Sequence, residues 1–120
     1  MTMSTKIYGI TQCNTVKKAR QWLNENNITA EYIDFKKKPP SAKDIEFWLS
    51  QIPKEKLINR KGTTWRKLTD SEQQEALSSE ATAINLMLTH PSIIKRPVLV
   101  HKNQVMIGFD PLLYNKFLVL

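Results

Sequence analysis

The chain has 120 residues, of which 41% are hydrophobic and 24% are charged. It is therefore long enough for one domain with a single hydrophobic core, and too apolar for a disordered chain. The formal charge of +7 invites a nucleic-acid partner, but Lys and Arg are spread along the sequence, with a single run at 36–38. Without zinc-ligand spacing, a recognition helix or an aromatic–basic RNA-binding pattern, the basic charge favours anionic small molecules instead.

The sequence argues against a membrane or exported protein. No apolar run approaches the roughly 20 residues that cross a bilayer, and residues 1–6 read as a short leader without the apolar core of a secretory signal. The single cysteine, Cys13, cannot form an internal disulfide. We therefore expect a monomer in the reducing cytoplasm, where any working disulfide joins Cys13 to another molecule.

The first predicted strand leads directly into a helix, and Cys13 lies at the junction. The run at 7–10 is β-branched and aromatic, as in strands. The apolar period then becomes helical, with residues 16, 19 and 23 on one face. Free N–H groups at a helix start, the helix macrodipole and nearby Lys17, Lys18 and Arg20 all favour a thiolate over a thiol.

A lone cysteine is most often a small buried residue with no chemical task. Here the polar neighbours Gln12 and Asn14 place Cys13 off the apolar helix face, which favours an accessible thiol. We therefore predict that Cys13 is a nucleophile. The N–H groups of Asn14 and Thr15 would be available to an anion bound beside it.

The next segments complete a βαβ unit. Residues 26–27 are a polar stop for the helix, and the alternating segment at 29–35 predicts a second strand. Strand, helix and strand within about thirty residues predict a right-handed crossover with parallel strands.

The middle of the chain is predicted to be helical. Capping-box spacings begin at Ser41 and Thr69, and a residue before a proline is disfavoured in a helix. Helices are predicted at 41–52, 69–77 and 82–89, with a polar, basic loop at 59–68. Together they predict a helical insertion at about 41–91.

The last third returns to strands. Segments at 97–101 and 104–109 flank a two-residue connection, which predicts an antiparallel hairpin. Asp110 as an N-cap and Pro111 after it predict a closing helix to residue 118. The order β-α-β, helical insertion, β-β-α predicts a thioredoxin-like α/β fold with a four-stranded mixed sheet.

Arg96 and Pro97 precede a strand that this arrangement brings towards Cys13. Only about 5–6% of X–Pro bonds are cis, and a trans proline would be harmless at a strand start, but the fold context raises the expectation of cis. Two alternatives are open for Arg96. It is a solvated surface residue, which is the commoner case, or it is an anion clamp, because a guanidinium that reaches Cys13 would stabilise the thiolate and bind an anion. Arg96 is therefore a candidate catalytic residue, and Pro97 is a candidate residue of the substrate site.

The sequence resembles the family that comprises the glutaredoxin-coupled arsenate reductases, Spx and the YffB-like proteins. The matching segments, in order along nearly the whole chain, lie at 9–20, 32–40, 59–68, 94–98 and 105–109. The nearest resemblance is to the YffB-like branch. It implies a thioredoxin-like, glutaredoxin-type fold and glutathione-dependent thiol reductase activity.

For the arsenate reductases, the resemblance implies a nucleophilic cysteine surrounded by three arginines. Cys13 stands in the cysteine's place and Arg96 in that of one arginine. Either Asn59 or Arg60 stands in the place of a second arginine. The third arginine would fall at 108–109, where this sequence has Gly-Phe. The resemblance therefore does not imply arsenate reduction for this chain.

The leading hypothesis is a thiol oxidoreductase whose Cys13 attacks a small-molecule or protein disulfide, or an oxidised sulfur or arsenic centre, and forms a mixed adduct. An external thiol then releases the adduct, so glutathione is the expected co-substrate, glutaredoxin is a candidate partner, and no bound cofactor or metal is expected. Arg60, Lys61 and Arg66 are candidate contacts for the glutathione carboxylates.

Two alternatives remain open. A Spx-like protein would be a non-enzymatic regulator that binds RNA polymerase, and Cys13 would then be dispensable. Spx-type regulators commonly carry a Cys-x-x-Cys switch, whereas Val16 stands three residues after Cys13. The other alternative is a glutaredoxin-coupled arsenate reductase.

Overall fold

The computed structural model describes residues 5–118, so the first four residues of the predicted leader lie outside it. The chain divides into two compact units. The sheet unit comprises described residues 5–38 and 96–118, and the helical unit comprises residues 39–95. The prediction of a single domain with an insertion at 41–91 stays a prediction.

The elements follow the predicted order. They are β1 (Thr5–Gly9), α1 (Asn14–Glu25), β2 (Glu31–Asp34), α2 (Ala42–Leu49), α3 (Lys54–Leu57), α4 (Thr63–Arg66), α5 (Asp70–Ser78), α6 (Glu80–Thr89), a 3₁₀ turn (Pro91–Ile93), β3 (Val98–His101), β4 (Gln104–Ile107) and α7 (Pro111–Phe117).

The sheet unit contains the predicted four-stranded mixed sheet, with strand order β2-β1-β3-β4. β1 pairs in parallel with β2, and β3 is antiparallel to both β1 and β4. The βαβ and ββα halves therefore form the thioredoxin-like α/β arrangement, and the predicted fold class is confirmed. The hairpin turn places Lys102 and Asn103 at positive φ, as a two-residue hairpin connection requires.

One core holds the sheet unit together. α1 buries the face that its spacing predicts, namely Val16, Ala19 and Leu23. Ala19 and Leu23 pack in a buried cluster with apolar residues of the sheet and α7, which include Ile7, Leu99 and Tyr114. α7 begins as predicted, because the Asp110 carboxylate accepts hydrogen bonds from the N–H groups of residues 112 and 113.

The helical unit has its own buried residues, among them Ile45, Trp48 and Trp65. Both predicted capping boxes are present, at Ser41 and at Thr69. Backbone hydrogen bonds link residues 57–59 in the middle of the unit to residues 93–95 at its end.

Several predicted boundaries are corrected. The strand predicted at 29–35 spans only 31–34, and the helix predicted to residue 52 ends at Leu49, followed by the one-turn α3 after Pro53. The loop predicted at 59–68 contains the short helix α4, because buried Trp65 anchors it from inside the polar stretch. α6 begins two residues before the predicted position 82, because the Ser79 hydroxyl caps it.

Within residues 5–118, no helix combines the length and the apolar character needed to span a membrane.

Candidate active site around Cys13

Cys13 is the N-cap residue of α1. Its backbone is extended (φ −80°, ψ 121°), and its carbonyl accepts the first hydrogen bond of the helix from the Lys17 N–H at 3.0 Å. The side chain is partly exposed. The prediction that Cys13 lies where the first strand passes into the helix is confirmed.

Gly9 at the end of β1 allows α1 to pack closely on the strand. A Cβ atom at position 9 would lie 2.6 Å from Cγ2 of Val16 and 3.1 Å from its Cγ1. Any larger residue would therefore push the first turn of α1, and with it the backbone around Cys13, away from the sheet.

Side chains from β2 and from the segment after it hold the loop that precedes Cys13. The Thr11 hydroxyl donates to the Asp34 carboxylate at 3.3 Å and lies 3.3 Å from the Tyr32 hydroxyl, from which it accepts a hydrogen bond. Lys36 Nζ donates to the side-chain carbonyl of Gln12 at 2.5 Å. The loop is thus tied at residues 11 and 12 to β2 and to the segment that follows it.

Arg96 reaches Cys13 from the opposite end of the chain. Its peptide bond to Pro97 is cis, as the fold context predicts, and the Pro97 carbonyl accepts a hydrogen bond from the Gly108 N–H at 2.9 Å. The half-buried Arg96 side chain donates a hydrogen bond to the Cys13 sulfur. The structure therefore brings together the two residues assigned to catalysis, whose roles stay predictions.

The surroundings of Cys13 favour its ionised form. Partial burial raises the pKa of the thiol, but the Val16 N–H, the hydrogen bond and charge of Arg96, and the Thr15 N–H together lower the pKa below its ordinary value. The sulfur makes no capping hydrogen bond of regular geometry, so the two N–H groups act as nearby dipoles rather than as ideal donors. The result is a partly exposed sulfur with a lower pKa than an ordinary thiol.

The cations close to Cys13 in sequence lie on the exposed surface of α1. Lys17, Lys18 and Arg20 are all exposed, whereas the half-buried Arg96 is a cation whose charge lowers the pKa of Cys13. The Arg20 guanidinium lies 3.8 Å from the centre of the Tyr32 ring. The contribution of these three residues to the Cys13 thiolate stays a prediction.

The remaining predicted site residues lie in two places. Asn14 and Thr15 are the first two residues of α1, and both are exposed. Arg60, Lys61 and Arg66 are exposed residues of the helical unit, within or just before α4. Their contact with glutathione stays a prediction.

The sheet unit offers one arginine to an anion at Cys13. Its two described arginines are Arg20, which lies over Tyr32, and Arg96. Gly108 has a φ of 80° and donates its N–H to Pro97, so the backbone at this point is shaped for a glycine. Among residues 5–118, no cluster of three or more His, Cys, Asp and Glu side chains could hold a metal ion.

Comparison with known proteins supports the predicted family. A sequence profile of the ArsC family matches residues 8–117. The chain belongs to the ArsC family. The structure of a YffB protein is similar to it, with 37% identity, a TM-score of 0.89, and coverage of 94% of this chain and 97% of the other.

Two further ArsC-type relatives bear on function. An arsenate reductase (ArsC) related protein from Brucella melitensis is 41% identical, with a TM-score of 0.75 and coverage of 100% of this chain and 98% of the other. The global transcriptional regulator Spx of Streptococcus mutans is 29% identical over 100 residues, which cover 82% of this chain and 71% of Spx. The chain therefore has the thiol-reductase-like fold of the ArsC family, within which both enzymes and regulators occur.

Sequence reasoning missed the contacts of Thr11, Tyr32, Asp34 and Lys36 that hold the Cys13 loop. No spacing in the sequence signals them, because they depend on the register in which β2 lies beside β1. They can be recognised only after the parallel pair has been assembled.

Proposed function

We propose that the protein is a glutathione-dependent thiol oxidoreductase in which Cys13 is the nucleophile and Arg96 is its catalytic partner. The observation that supports this most directly is the hydrogen bond from Arg96 to a partly exposed sulfur at a helix N-cap, where the pKa of the thiol is lowered. A thiolate, and not a thiol, attacks disulfides. Such an enzyme would work as a monomer in the reducing cytoplasm.

The chemistry follows from the presence of one cysteine. The Cys13 thiolate attacks the glutathione sulfur of a mixed disulfide between substrate and glutathione. An S–S bond forms between Cys13 and glutathione, the substrate's S–S bond breaks, and the substrate leaves as a thiolate that takes a proton from water. Because the chain has no second cysteine, an external thiol must complete the cycle.

Free glutathione supplies that thiol. It loses its proton and attacks the glutathione sulfur held on Cys13, which releases oxidised glutathione and restores the Cys13 thiolate. Overall, the mixed disulfide is reduced to a substrate thiol, and one free glutathione is oxidised as it joins the released glutathione in a disulfide. A glutaredoxin could replace glutathione in this second step. Arg96 would stabilise the departing Cys13 thiolate and attract the anionic co-substrate.

A glutathione titration tests this proposal. Oxidised glutathione is added to the parent protein and to Cys13→Ser, and each is analysed by mass spectrometry. Turnover of a glutathionylated peptide is then followed with reduced glutathione, with and without a glutaredoxin. We expect one glutathione adduct on the parent protein, none on the variant, and turnover that requires Cys13. A parent protein that forms no adduct and is no faster than Cys13→Ser would contradict the proposal.

A second candidate function is a Spx-like, non-enzymatic regulator that binds RNA polymerase. The similarity to Spx of Streptococcus mutans favours it. The two functions differ in their need for Cys13. If RNA polymerase captures the parent protein and Cys13→Ser equally well, and the parent protein has no reductase activity, the regulatory function is supported instead.

Arsenate reduction is the third candidate, favoured by the similarity to the Brucella melitensis protein. Against it, the sheet unit directs one described arginine, Arg96, to the Cys13 sulfur. We expect little or no arsenate turnover with glutathione and glutaredoxin, because glycine stands at position 108, in the region where the resemblance places the third arginine.

A further inference from the structure

The helical unit contains an open cavity of about 500 Å³ whose walls carry charges of both signs. Arg60 and Lys61 line it on one segment, and Asp70 and Gln73 line it on another. Buried Trp65 and half-buried Leu77 supply apolar surface between the polar groups. The cavity therefore combines two cations, a carboxylate and an amide around an apolar patch.

A defined turn presents the two cations. Asn59 accepts a hydrogen bond from the Lys61 N–H on its side-chain carbonyl at 3.2 Å, and from the Gly62 N–H on its backbone carbonyl at 3.3 Å. These bonds fix the backbone on both sides of Lys61. The Arg60 and Lys61 side chains are exposed, so both can reach a ligand without disturbing the turn.

The opposite wall is equally well defined. The N-terminus of α5 is capped by Thr69 and Glu72, whose side chains satisfy each other's backbone N–H groups at 2.9 and 3.1 Å. The cap does not use Asp70, the first residue of the helix. Gln73 donates a hydrogen bond from its side-chain N–H to the Trp65 carbonyl at 2.8 Å. The side-chain carbonyl oxygen of Gln73 takes no part in this contact and can accept a hydrogen bond from a ligand.

The opposite charges share the cavity without pairing. Within the described part of the chain, no salt bridge joins Asp70 to Arg60 or to Lys61. Exposed ion pairs contribute little to stability, so keeping these charges apart costs the fold little. A simple anion would be repelled by Asp70, whereas a ligand with a positive and a negative group could contact both walls.

We propose that this cavity binds an α-amino-acid head group. Arg60 and Lys61 would contact its carboxylate, and Asp70 and the Gln73 carbonyl would accept hydrogen bonds from its ammonium group. The rest of the ligand would lie against Trp65 and Leu77. The γ-glutamyl end of glutathione belongs to this class, and its choice as the ligand rests on the proposed function.

The test uses Cys13→Ser, so that no adduct can form, and monitors the Trp65 indole and Gln73 amide signals by NMR. The probes are glutathione and two analogues. Glutaryl-cysteinylglycine lacks the α-ammonium, and 4-aminobutanoyl-cysteinylglycine lacks the α-carboxylate. We expect glutathione to shift both signals and each analogue to bind about tenfold more weakly, as the loss of a hydrogen bond to a charged group implies.

Substitutions identify which wall of the cavity binds the ammonium group and which wall binds the carboxylate. In the Cys13→Ser background, Asp70→Asn should remove the preference for glutathione over the analogue without the ammonium, and Lys61→Ala should reduce the preference over the analogue without the carboxylate. Glu46→Gln and Lys56→Ala, exposed residues of the same unit outside the cavity lining, are the matched controls and should change neither preference.

Two results would overturn the site: signals of Trp65 and Gln73 that glutathione does not shift, or an Asp70→Asn protein that keeps its full preference for the ammonium. The assay is separate from turnover. Binding with the expected preferences in a protein that shows no Cys13-dependent turnover would support the site and refute the proposed function. Cys13-dependent turnover without binding in the cavity would support the proposed function and refute the site.

Discussion

The Arg96 side chain donates a hydrogen bond to the Cys13 sulfur, although the two residues come from opposite ends of the sequence. The pairing of strands in the sheet explains why these two residues lie close together. β3 runs antiparallel to β1, with Val98 opposite Tyr8, so the residues that precede β3 arrive beside the loop that follows β1. One guanidinium and the first N–H groups of α1 thus surround a single thiol.

Replacement of Arg96 should slow thiol–disulfide exchange by Cys13. Arg96→Gln removes both the charge and the hydrogen bond, so the pKa of Cys13 should rise and exchange at pH 7 should slow several-fold. Arg96→Lys keeps the charge but not the planar donors and should be intermediate. Second-order rates with a small disulfide measure this. Arg20→Gln is the control, because Arg20 lies over Tyr32; equal losses in Arg96→Gln and Arg20→Gln would contradict a specific role for Arg96.

The lowered pKa of Cys13 should make folding stability depend on pH. The folded protein binds fewer protons at Cys13 than the unfolded chain does, so its unfolding free energy rises with pH from the lowered folded pKa up to the unfolded value of about 8.5. The stabilisation is lost as the pH falls through the folded pKa. Urea unfolding across this range should show the slope as a difference between the parent protein and Cys13→Ser. If the difference in unfolding free energy does not change with pH, or falls as the pH rises, the lowered pKa of Cys13 is contradicted.

Gly9→Ala should destabilise the sheet unit by about 1–3 kcal/mol, because the new methyl group would overlap Val16. Val16→Ala removes the overlapping atoms at the expense of a small cavity. The double variant should therefore lose less stability than the sum of the two single variants, which urea unfolding can measure. Strictly additive losses would show that the contact does not limit how closely α1 approaches β1.

The hydroxyl of buried Tyr114 donates to the Gly108 carbonyl at 2.6 Å, and burial raises its pKa far above the ordinary value. Tyr114→Phe should therefore cost about 1–3 kcal/mol of unfolding free energy, because it leaves the carbonyl without this donor. Tyr32→Phe is the matched control. Its hydroxyl contact with Thr11 is exposed, so its loss should be smaller. Equal losses in urea unfolding would contradict this assignment.

Local sequence signals predicted much of the fold. The capping boxes at Ser41 and Thr69 and the Asp110 cap are adjacent in sequence to the helices they begin, and each is present. The helix α4 was not predicted from the sequence, because its buried residue, Trp65, stands among polar residues that show no helical spacing of apolar side chains. Short helices depend on tertiary packing more than on local propensity.

The candidate site also has one part that local sequence predicts and another that depends on the folded structure. The position of Cys13 at a strand–helix junction is a local property, and the sequence predicts it. Which distant cation reaches the sulfur depends on the strand pairing, and the sequence neighbours of Cys13 do not reveal that Arg96 makes this contact. The predicted strand arrangement pointed to Arg96 as a candidate anion-binding residue, and the resemblance placed it in the position of an arginine of the family.

The central claim is that the Cys13 sulfur is ionised more readily than an ordinary thiol. The most direct test is the pH dependence of alkylation of the native protein by iodoacetamide, which reports on Cys13 without ambiguity because the chain has no other cysteine. We expect a single titration with a midpoint below the unperturbed value of about 8.5. A midpoint at or above that value would contradict it.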